Sequence, residues 1–256
     1  MSTTASVNRR VVLAFGAHPD DIEMLCGGTL VRLAEAGWEV HIATATAGDC
    51  GTTSETPWAI SHRRTEEAKQ AAAVIGATYH CLGERDGFII YDQPALRKCI
   101  DLFRGIAPTL VLTLAPRDYM VDHEMASLLA RSASFVFSIP NIAPWPPKEG
   151  ARVPHLYYCD PLDGVDPLGN PVTPTTLIDV TAQMEKKTAM LACHASQREW
   201  LRAHHGMDEY IEAMHRSAAV RGKLLGVPAA EAFVQHLGHG YPHDDLLHTL
   251  FPAKKT

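Results

Sequence analysis

Short apolar segments alternate with amphipathic segments along the first half of the chain. The apolar, β-branched runs that are typical of covered strands lie at 10–17, 40–46, 77–82 and 109–115. Segments with helical spacing of apolar residues separate or follow them, at 26–36, 61–75, 94–105 and 123–137. Ser61 is the predicted N-cap of the second helix and Gly76 its stop. This alternation predicts an α/β fold, a Rossmann-like open, mostly parallel sheet with helices on both faces.

The second half of the chain has a less regular pattern. Further strands are predicted at 155–159, 176–180 and 230–237, and further helices at 181–194 and 207–225. The proline-rich stretch 141–154 resembles a linker between domains. We nevertheless predict a single domain over 1–256, because residues 1–140 alone would leave an edge of their sheet uncovered.

Composition and charge narrow the class of protein. The chain has 256 residues, a formal charge of -6 and a pI near 6.1, and it shows no Lys/Arg stripe, which argues against a nucleic-acid partner. Its six cysteines are scattered without a C-x-x-C pair, as is typical of reduced thiols in the cytosol. The first apolar run is too short to span a bilayer. We therefore expect a soluble, cytoplasmic protein with no membrane partner.

A dense group of polar residues follows the first predicted strand, in the stretch FGAHPDDIEMLCGG. Ligands of open α/β sheets bind beyond the carboxyl ends of the strands, where His18 and Asp21 lie. Their spacing of three residues allows one turn to direct both side chains at one point. His123 follows the fourth predicted strand and could supply a third ligand. Nitrogen and carboxylate ligands with an open position suit a catalytic zinc ion.

Two further aspartates belong to this prediction, and one alternative competes with it. Asp118 and Asp122 lie shortly before the candidate ligand His123 and could orient the ligands from behind. In the alternative interpretation, the HPDD stretch is a proline-stabilised turn whose aspartate caps a helix and binds no metal.

The same stretches resemble a known family. AHPDDIE followed by CGGTL is similar to the signature of the zinc-dependent LmbE/PIG-L deacetylases, the N-acetylglucosaminyl deacetylase-like group. DYMVDH occupies the place of the family's H-P-D-H motif. Three further stretches resemble later family motifs, namely HRRTEEAKQAAAVIGA, ERDG and KKTAMLACHASQ. The resemblance extends over most of the chain.

This resemblance implies roles for four residues. His18, Asp21 and His123 would be the ligands of one Zn²⁺ ion per chain, although another divalent metal is an open alternative. Asp20 would be the general base, which takes a proton from water and passes it to the leaving amine. The implied activity is a zinc-dependent hydrolase that removes an acyl group, foremost acetyl, from the amine of a small molecule such as an N-acetyl amino sugar or its conjugate.

The chain departs from the family at one catalytic position. Met120 stands where the first histidine of the H-P-D-H motif is usual, and methionine can neither protonate nor stabilise the intermediate. Either Asp20 alone suffices, or another residue fills that catalytic role, for which Tyr119 and His194 are the candidates.

Three residues resemble positions that contact substrate. AGDCG, with Asp49, stands where family members more often show Gly-Glu, and Asp49 could still meet a substrate hydroxyl. Arg64 in R-x-x-E and Asp86 in RDG resemble residues that contact sugar or phosphate groups. The alternatives are a solvated Arg64–Glu67 pair on one helix face and a turn aspartate.

Other functions remain open at this stage. A metal-dependent hydratase or lyase that acts on a small unsaturated carboxylate is the enzymatic alternative, although Asp20 favours the hydrolase. Arg63, Arg64 and Arg117 would favour a carboxylated substrate in either case. A nucleotide-binding module is disfavoured because G-x-G-x-x-G is absent and carboxylates repel phosphate. We expect a homo-oligomer, since oligomers are common in such folds.

Overall fold

The computed structural model describes residues 9–205 and 210–252, and the strands in this part form one seven-stranded sheet. The sheet order is β3-β2-β1-β4-β5-β7-β6. The strand bounds are β1 (Val11–Gly16), β2 (Glu39–Thr46), β3 (Thr78–Glu84), β4 (Leu110–Thr113), β5 (His155–Cys159), β6 (Thr176–Asp179) and β7 (Ala230–Gln235). Neighbours among β1 to β5 pair in parallel, and β7 runs antiparallel between β5 and β6. The predicted mostly parallel α/β fold is confirmed.

Helices cover both faces of the sheet. Their bounds are α1 (Asp21–Glu35), α2 (Pro57–Ala73), α3 (Gln93–Ile106), α4 (Val121–Val136), α5 (Met184–Ala192), α6 (Ala195–His205), α7 (Tyr210–Leu225) and α8 (Leu246–Leu250). Strand β1 shows how the core is divided, because its side chains alternate between the two faces. Leu13 and Phe15 pack with α3 and α4, whereas Val12 and Ala14 pack on the other side with α1 and α5.

Two helix starts differ from the sequence prediction. Helix α2 begins at Pro57, where the side chain of Thr56 accepts a hydrogen bond from the backbone of Ala59 at 3.2 Å, so the predicted N-cap at Ser61 is wrong. Helix α1 begins at Asp21 instead of near Cys26. Cys26 lies at a kink inside α1, with φ −138° and ψ 15°, and this break explains why periodicity alone detected only the second part.

The second half contains two helices that the sequence pattern did not predict, α6 and α8. The predicted helix 181–194 is a 3-10 turn followed by the shorter α5. The helical conformation is interrupted again before α6 begins. The predicted helix 207–225 corresponds to α7 from residue 210 onward, and 207–209 lie outside the described residues. Strand β4 is shorter than the predicted 109–115.

The position of β1 in the sheet determines where a ligand can bind. Strand β1 lies between β2 and β4. Strands β2 and β3 extend the sheet on one side of β1, and β4 begins its other side, so the strand order reverses at β1. In open α/β sheets, ligands bind at this switch point, beyond the carboxyl ends of the strands. Strands β5, β7 and β6 continue the sheet from β4, although the single domain over 1–256 stays a prediction. In the described part of the chain, every helix is too short or too polar to cross a membrane.

A buried ion pair supports the break in α1. The carboxylate of Glu231 on β7 accepts hydrogen bonds from the backbone of Gly28 at 2.8 Å and Thr29 at 2.7 Å. It also pairs with the ammonium of Lys187 at 2.6 Å, and both side chains are about 2% exposed. A β-carbon at Gly28 would lie 2.8 Å from Val180, so only glycine fits there. Glu231 thus serves as a cap, supplied by another strand, for the second part of α1.

Removing one partner of this pair should destabilise the fold strongly. We expect Lys187→Met to lower the free energy of unfolding by about 3–5 kcal/mol, because it leaves the Glu231 charge buried without its cation. Urea unfolding followed by circular dichroism measures this change. The double variant Lys187→Met/Glu231→Gln should recover part of the loss, and a single variant as stable as the parent protein would contradict the role of the pair.

Candidate metal centre and active-site pocket

The candidate ligands meet where β1 and β4 end side by side. His18 and Asp21 follow β1, and His123 lies in the first turn of α4 after β4. Each of these residues offers one ligand atom, and the three atoms lie within 4.8 Å of one another. All three side chains are buried. The structure therefore brings together the three residues that the sequence singled out as metal ligands.

The carboxylate of Asp21 lies at the centre of this cluster. Its Oδ1 is 3.4 Å from Nε2 of His123, and its Oδ2 is 3.7 Å from Nδ1 of His18. Oδ2 also accepts hydrogen bonds from the backbone of Ala17 and His18, both at 2.8 Å. Asp20 occupies the N-cap position of α1 but makes no capping hydrogen bond with its side chain. This geometry does not match the alternative interpretation of HPDD as a simple helix cap.

Carboxylates hold both imidazole rings from behind. Nδ1 of His123 contacts Oδ1 of Asp118 at 3.0 Å. Nε2 of His18 contacts Asp122 at 3.3 Å and Asp86 at 3.1 Å. In the neutral form of each ring, the outer nitrogen donates to a carboxylate, which leaves the inner nitrogen facing Asp21 with a lone pair for a metal ion. This carboxylate–histidine arrangement fits zinc, which is often bound by histidines oriented in this way.

The carboxylates around the two imidazole rings raise the pKa values of the rings. Burial alone would lower the pKa of His18, but Asp122 and Asp86 outweigh it and raise the value to about 9. Burial also opposes the shift of His123, whose pKa is raised to about 11 by Asp21 and Asp118. The pKa of Asp21 is lowered, because both histidines outweigh its burial. Without a metal ion the site is therefore a cluster of imidazolium and carboxylate groups, and a divalent cation would have to displace protons.

Asp20 lies beside the ligand cluster in an unusual backbone conformation. Its φ of 116° is in the left-handed region, which residues with a β-carbon rarely adopt. Burial raises the pKa of its carboxyl group, while Arg64, whose Nη2 is 3.5 Å from Oδ2, opposes that effect. Asp20 and the three candidate ligands all line one cavity of about 500 Å³.

The structure separates the two candidates for the role of the missing histidine. Met120 and Tyr119 both line the cavity, and the ring of Tyr119 meets that of His123 edge-on, with centroids 5.3 Å apart. His194 is 1% exposed and does not line the cavity. Its Nε2 lies 3.5 Å from the buried carboxylate of Glu23 instead.

The three predicted substrate contacts are engaged with the protein itself. Asp49 accepts hydrogen bonds from the backbone of Asp86 at 2.8 Å and from Arg85 at 3.0 Å, and it is not among the residues that line the cavity. Asp86 lines the cavity, but one of its oxygens faces His18. Arg64 also lines the cavity but is buried and turned toward backbone carbonyls. A substrate-binding role stays a prediction for all three.

Arg64 and Glu67 of α2 do not pair as a solvated couple. Both are buried, and each contacts a different segment. Glu67 accepts hydrogen bonds from the backbone nitrogen of Ser196 at 3.0 Å and from its hydroxyl at 2.5 Å, which anchors the beginning of α6. The alternative interpretation of R-x-x-E as a surface ion pair is therefore wrong.

Helices α6 and α7 contribute cavity residues that the sequence analysis did not identify. These include Gln197, Trp200 and Tyr210. Burial raises the pKa of the Asp20 carboxyl group, and Arg64, His194 and, least of all, the hydroxyl of Tyr210 oppose this rise. Gln197 ends the stretch KKTAMLACHASQ, whereas Trp200 and Tyr210 belong to no motif and follow no strand end, so only tertiary packing places those two at the cavity.

Comparison with known proteins gives a family match in the first half of the chain. Residues 13–134 match the family described as PIG-L: GlcNAc-PI de-N-acetylase. This match over residues 13–134 confirms the resemblance to the PIG-L (LmbE-like) family that the motifs showed.

Individual relatives fall into two classes of enzyme. The chain is 27% identical over 197 residues to a 4-oxalmesaconate hydratase of Pseudomonas putida. The aligned region covers 74% of each protein. It is 27% identical over 199 residues to a diacetylchitobiose deacetylase of Thermococcus kodakarensis, covering 73% of this chain and 69% of the relative. Among solved structures, an N,N'-diacetylchitobiose deacetylase from Pyrococcus horikoshii, complexed with an inhibitor, matches with a TM-score of 0.76 and 23% identity, covering 93% of this chain and 89% of that one.

Loss of the carboxylate behind His123 should weaken metal binding. We expect Asp118→Asn to reduce the zinc affinity by about 10- to 100-fold, because the ring loses the partner that fixes its orientation and basicity. Competition with a chromophoric chelator measures the affinity. Asp244→Asn is the matched control, since Asp244 pairs with His155 at 3.0 Å where β5 begins, at the end of the strand remote from the site. Equal affinities of the two variants would contradict the assigned orientation.

Zinc affinity should also rise with pH. Because the pKa of His18 is raised to about 9 and that of His123 to about 11, both rings of the metal-free protein carry protons at neutral pH. Binding must displace these protons, so we expect the affinity to increase by up to about tenfold per pH unit for each proton displaced. The same competition at pH 6.5 to 8.5 tests this expectation, and an affinity independent of pH would contradict it.

Proposed function

We propose that this protein is a metal-dependent hydrolase that removes an acyl group, foremost acetyl, from the amine of a small molecule such as an N-acetyl amino sugar or its conjugate. One observation carries the proposal. A carboxylate, Asp20, lies next to a cluster of three candidate ligands, and all four side chains line the same cavity. Amide hydrolysis requires both a way to activate water and a group that moves its proton, and this arrangement could supply the two together.

The residues present fit a zinc ion. Two imidazoles and one carboxylate offer their atoms to a common point, and each ring is held by a carboxylate on its other nitrogen. His18, Asp21 and His123 would hold the ion. Zinc bound there would lower the pKa of water toward about 7 and polarise the amide carbonyl.

Asp20 would move the proton. Its carboxylate takes a proton from the attacking water and then delivers it to the amine as the tetrahedral intermediate collapses. Burial raises the pKa of Asp20, which brings the group closer to the range where it can both accept and donate a proton. Tyr119 lines the cavity beside His123, and this position favours it over the enclosed His194 as the residue that hydrogen-bonds the intermediate.

A hydratase that acts on a small unsaturated carboxylate is the second candidate. The similarity to the 4-oxalmesaconate hydratase favours it, and so does Met120, which removes a histidine usual in the deacetylase motif. In this alternative, the same cluster would activate water for addition to a double bond. The diacetylchitobiose deacetylase relative and the retention of Asp20 support the hydrolase.

A substrate panel separates the two candidates. Zinc-loaded protein is incubated with N-acetylglucosamine, N,N'-diacetylchitobiose, simple N-acetyl amines and small unsaturated dicarboxylates. The proposal predicts equal amounts of free amine and acetate, detected by fluorescamine and by proton NMR. Hydration of a dicarboxylate, with no amine released from any amide, would contradict the hydrolase and support the second candidate.

Asp20 provides the mechanistic control for this panel. We expect Asp20→Asn to lower kcat about 10²- to 10⁴-fold, because a general base contributes that much, while zinc remains bound. The zinc content of each variant is measured alongside its rate. Full activity of Asp20→Asn would remove the proposed base, and loss of zinc from this variant would show that Asp20 serves the metal instead.

A further inference from the structure

We propose that the cavity contains an apolar subsite next to the candidate metal ligands, and that the substrate carries an alkyl or aryl group on one side of its amide. The inference rests on the proposed function for the reaction and adds the class of molecule that the site accepts. Binding of an apolar group can be measured separately from hydrolysis.

The subsite begins one helical turn from the candidate ligands. Met24 and Leu25 follow Asp21 by three and four positions on α1, so they lie on the same face of that helix. All three residues line the cavity of about 500 Å³. A substituent of an amide held at the ligand cluster has to extend by one turn of helix, about 5 Å, to reach these apolar side chains.

Two more helices continue the apolar wall. On α6, Trp200 and Leu201 follow Gln197 by three and four positions, and all three line the cavity. On α7, Ala213 follows Tyr210 by three positions, and both line the cavity. Residues with this spacing lie on one face of a helix. Helices α6 and α7 therefore each present one face to the cavity.

The polar groups on these two faces are directed elsewhere. Oε1 of Gln197 faces the loop after β2, where it would lie 3.1 Å from a β-carbon at Gly51. The hydroxyl of Tyr210 is directed to Asp20. The side chain of Arg216 is 56% exposed and thus lies mainly in solvent. Among the described cavity residues of α6 and α7, the side chains that remain to contact a ligand are apolar.

Apolar surface that is incompletely packed inside a cavity favours an apolar ligand. Met24, Leu25, Trp200 and Leu201 are half-buried, and Leu162, which follows β5 and lines the same cavity, is 37% exposed. Burying such surface is favourable, whereas hydroxyl groups that lose water against it gain no hydrogen bond. An amide with an alkyl or aryl group therefore matches this wall better than a bare amino sugar does.

Two homologous series of ligands test the subsite without any reaction. N-alkyl methanesulfonamides from ethyl to octyl carry the alkyl chain on the amine side, and N-ethyl alkanesulfonamides carry it on the acyl side; neither is hydrolysed. Their affinity for the zinc-loaded protein is measured by calorimetry. We expect the affinity in at least one series to rise about threefold per added methylene until the subsite is filled. Affinities independent of chain length in both series would overturn the inference.

A substitution on α7 tests where the chain binds. We expect Ala213→Phe to weaken binding of the tightest octyl ligand about tenfold, because the added ring occupies the subsite. Ala219→Phe is the matched control, since Ala219 is exposed on the same helix and is not among the residues that line the cavity. Circular dichroism verifies that both variants fold, and equal effects of the two would overturn the placement.

A milder pair of variants guards against loss of folding. Leu162→Ala removes part of the wall at a partly exposed position, and we expect it to weaken binding of the same octyl ligand about fivefold. Leu168→Ala is its control, because Leu168 is 79% exposed in the same loop and is not among the cavity residues. An unchanged affinity in Leu162→Ala would contradict its place in the subsite.

Hydrolysis of the corresponding amides separates this inference from the proposed function. Binding that depends on chain length, without release of amine from any amide, would retain the subsite and reject the hydrolase. Release of amine from N-acetylglucosamine, together with affinities that do not depend on chain length, would retain the hydrolase and reject the subsite.

Discussion

The site depends on one electrostatic constraint, which is that many carboxylates share a poorly solvated space. The carboxylates in question are those of Asp20, Asp21, Asp86, Asp118 and Asp122. They face two imidazole rings and one guanidinium, those of His18, His123 and Arg64. Buried charges are costly unless they are paired. The protein offsets this cost by protonating the rings or, as we propose, by binding a divalent cation at the point where the ligand atoms converge.

The arrangement of the sheet creates this constraint. Parallel pairing of β1 with β4 places the turn after one strand beside the helix that follows the other, more than 100 residues apart in sequence. The turn after β1 supplies His18 and Asp21, and the segment at the start of α4 supplies His123 with Asp118 and Asp122, which hold the two rings. Asp20 belongs to the same turn and lines the cavity, with the guanidinium of Arg64 3.5 Å from its carboxylate. The proposed metal binding and proton transfer would thus depend on the same charges.

The sequence predicted the site residues that follow strand ends. It did not predict the contacts that other elements make with the site. Apolar runs and turns located β1 to β4, and therefore the placement of His18, Asp21 and His123 near one another. Residue type alone could not show that Arg64 turns toward the protein, because its partners are backbone carbonyls. Nor could it find Tyr210, since α7 reaches the cavity only through tertiary packing. The kink at Cys26 was equally hidden, because its support comes from a distant strand.

The most direct test of this account locates the metal by anomalous diffraction at the zinc edge from crystals of the zinc-loaded protein. We predict one zinc ion held by Nδ1 of His18, Nε2 of His123 and a carboxylate oxygen of Asp21. The described residues also contain a second group of possible ligands on the opposite side of the His18 ring, formed with Asp86 and Asp122. Zinc bound to Nε2 of His18 with those two carboxylates would contradict the account.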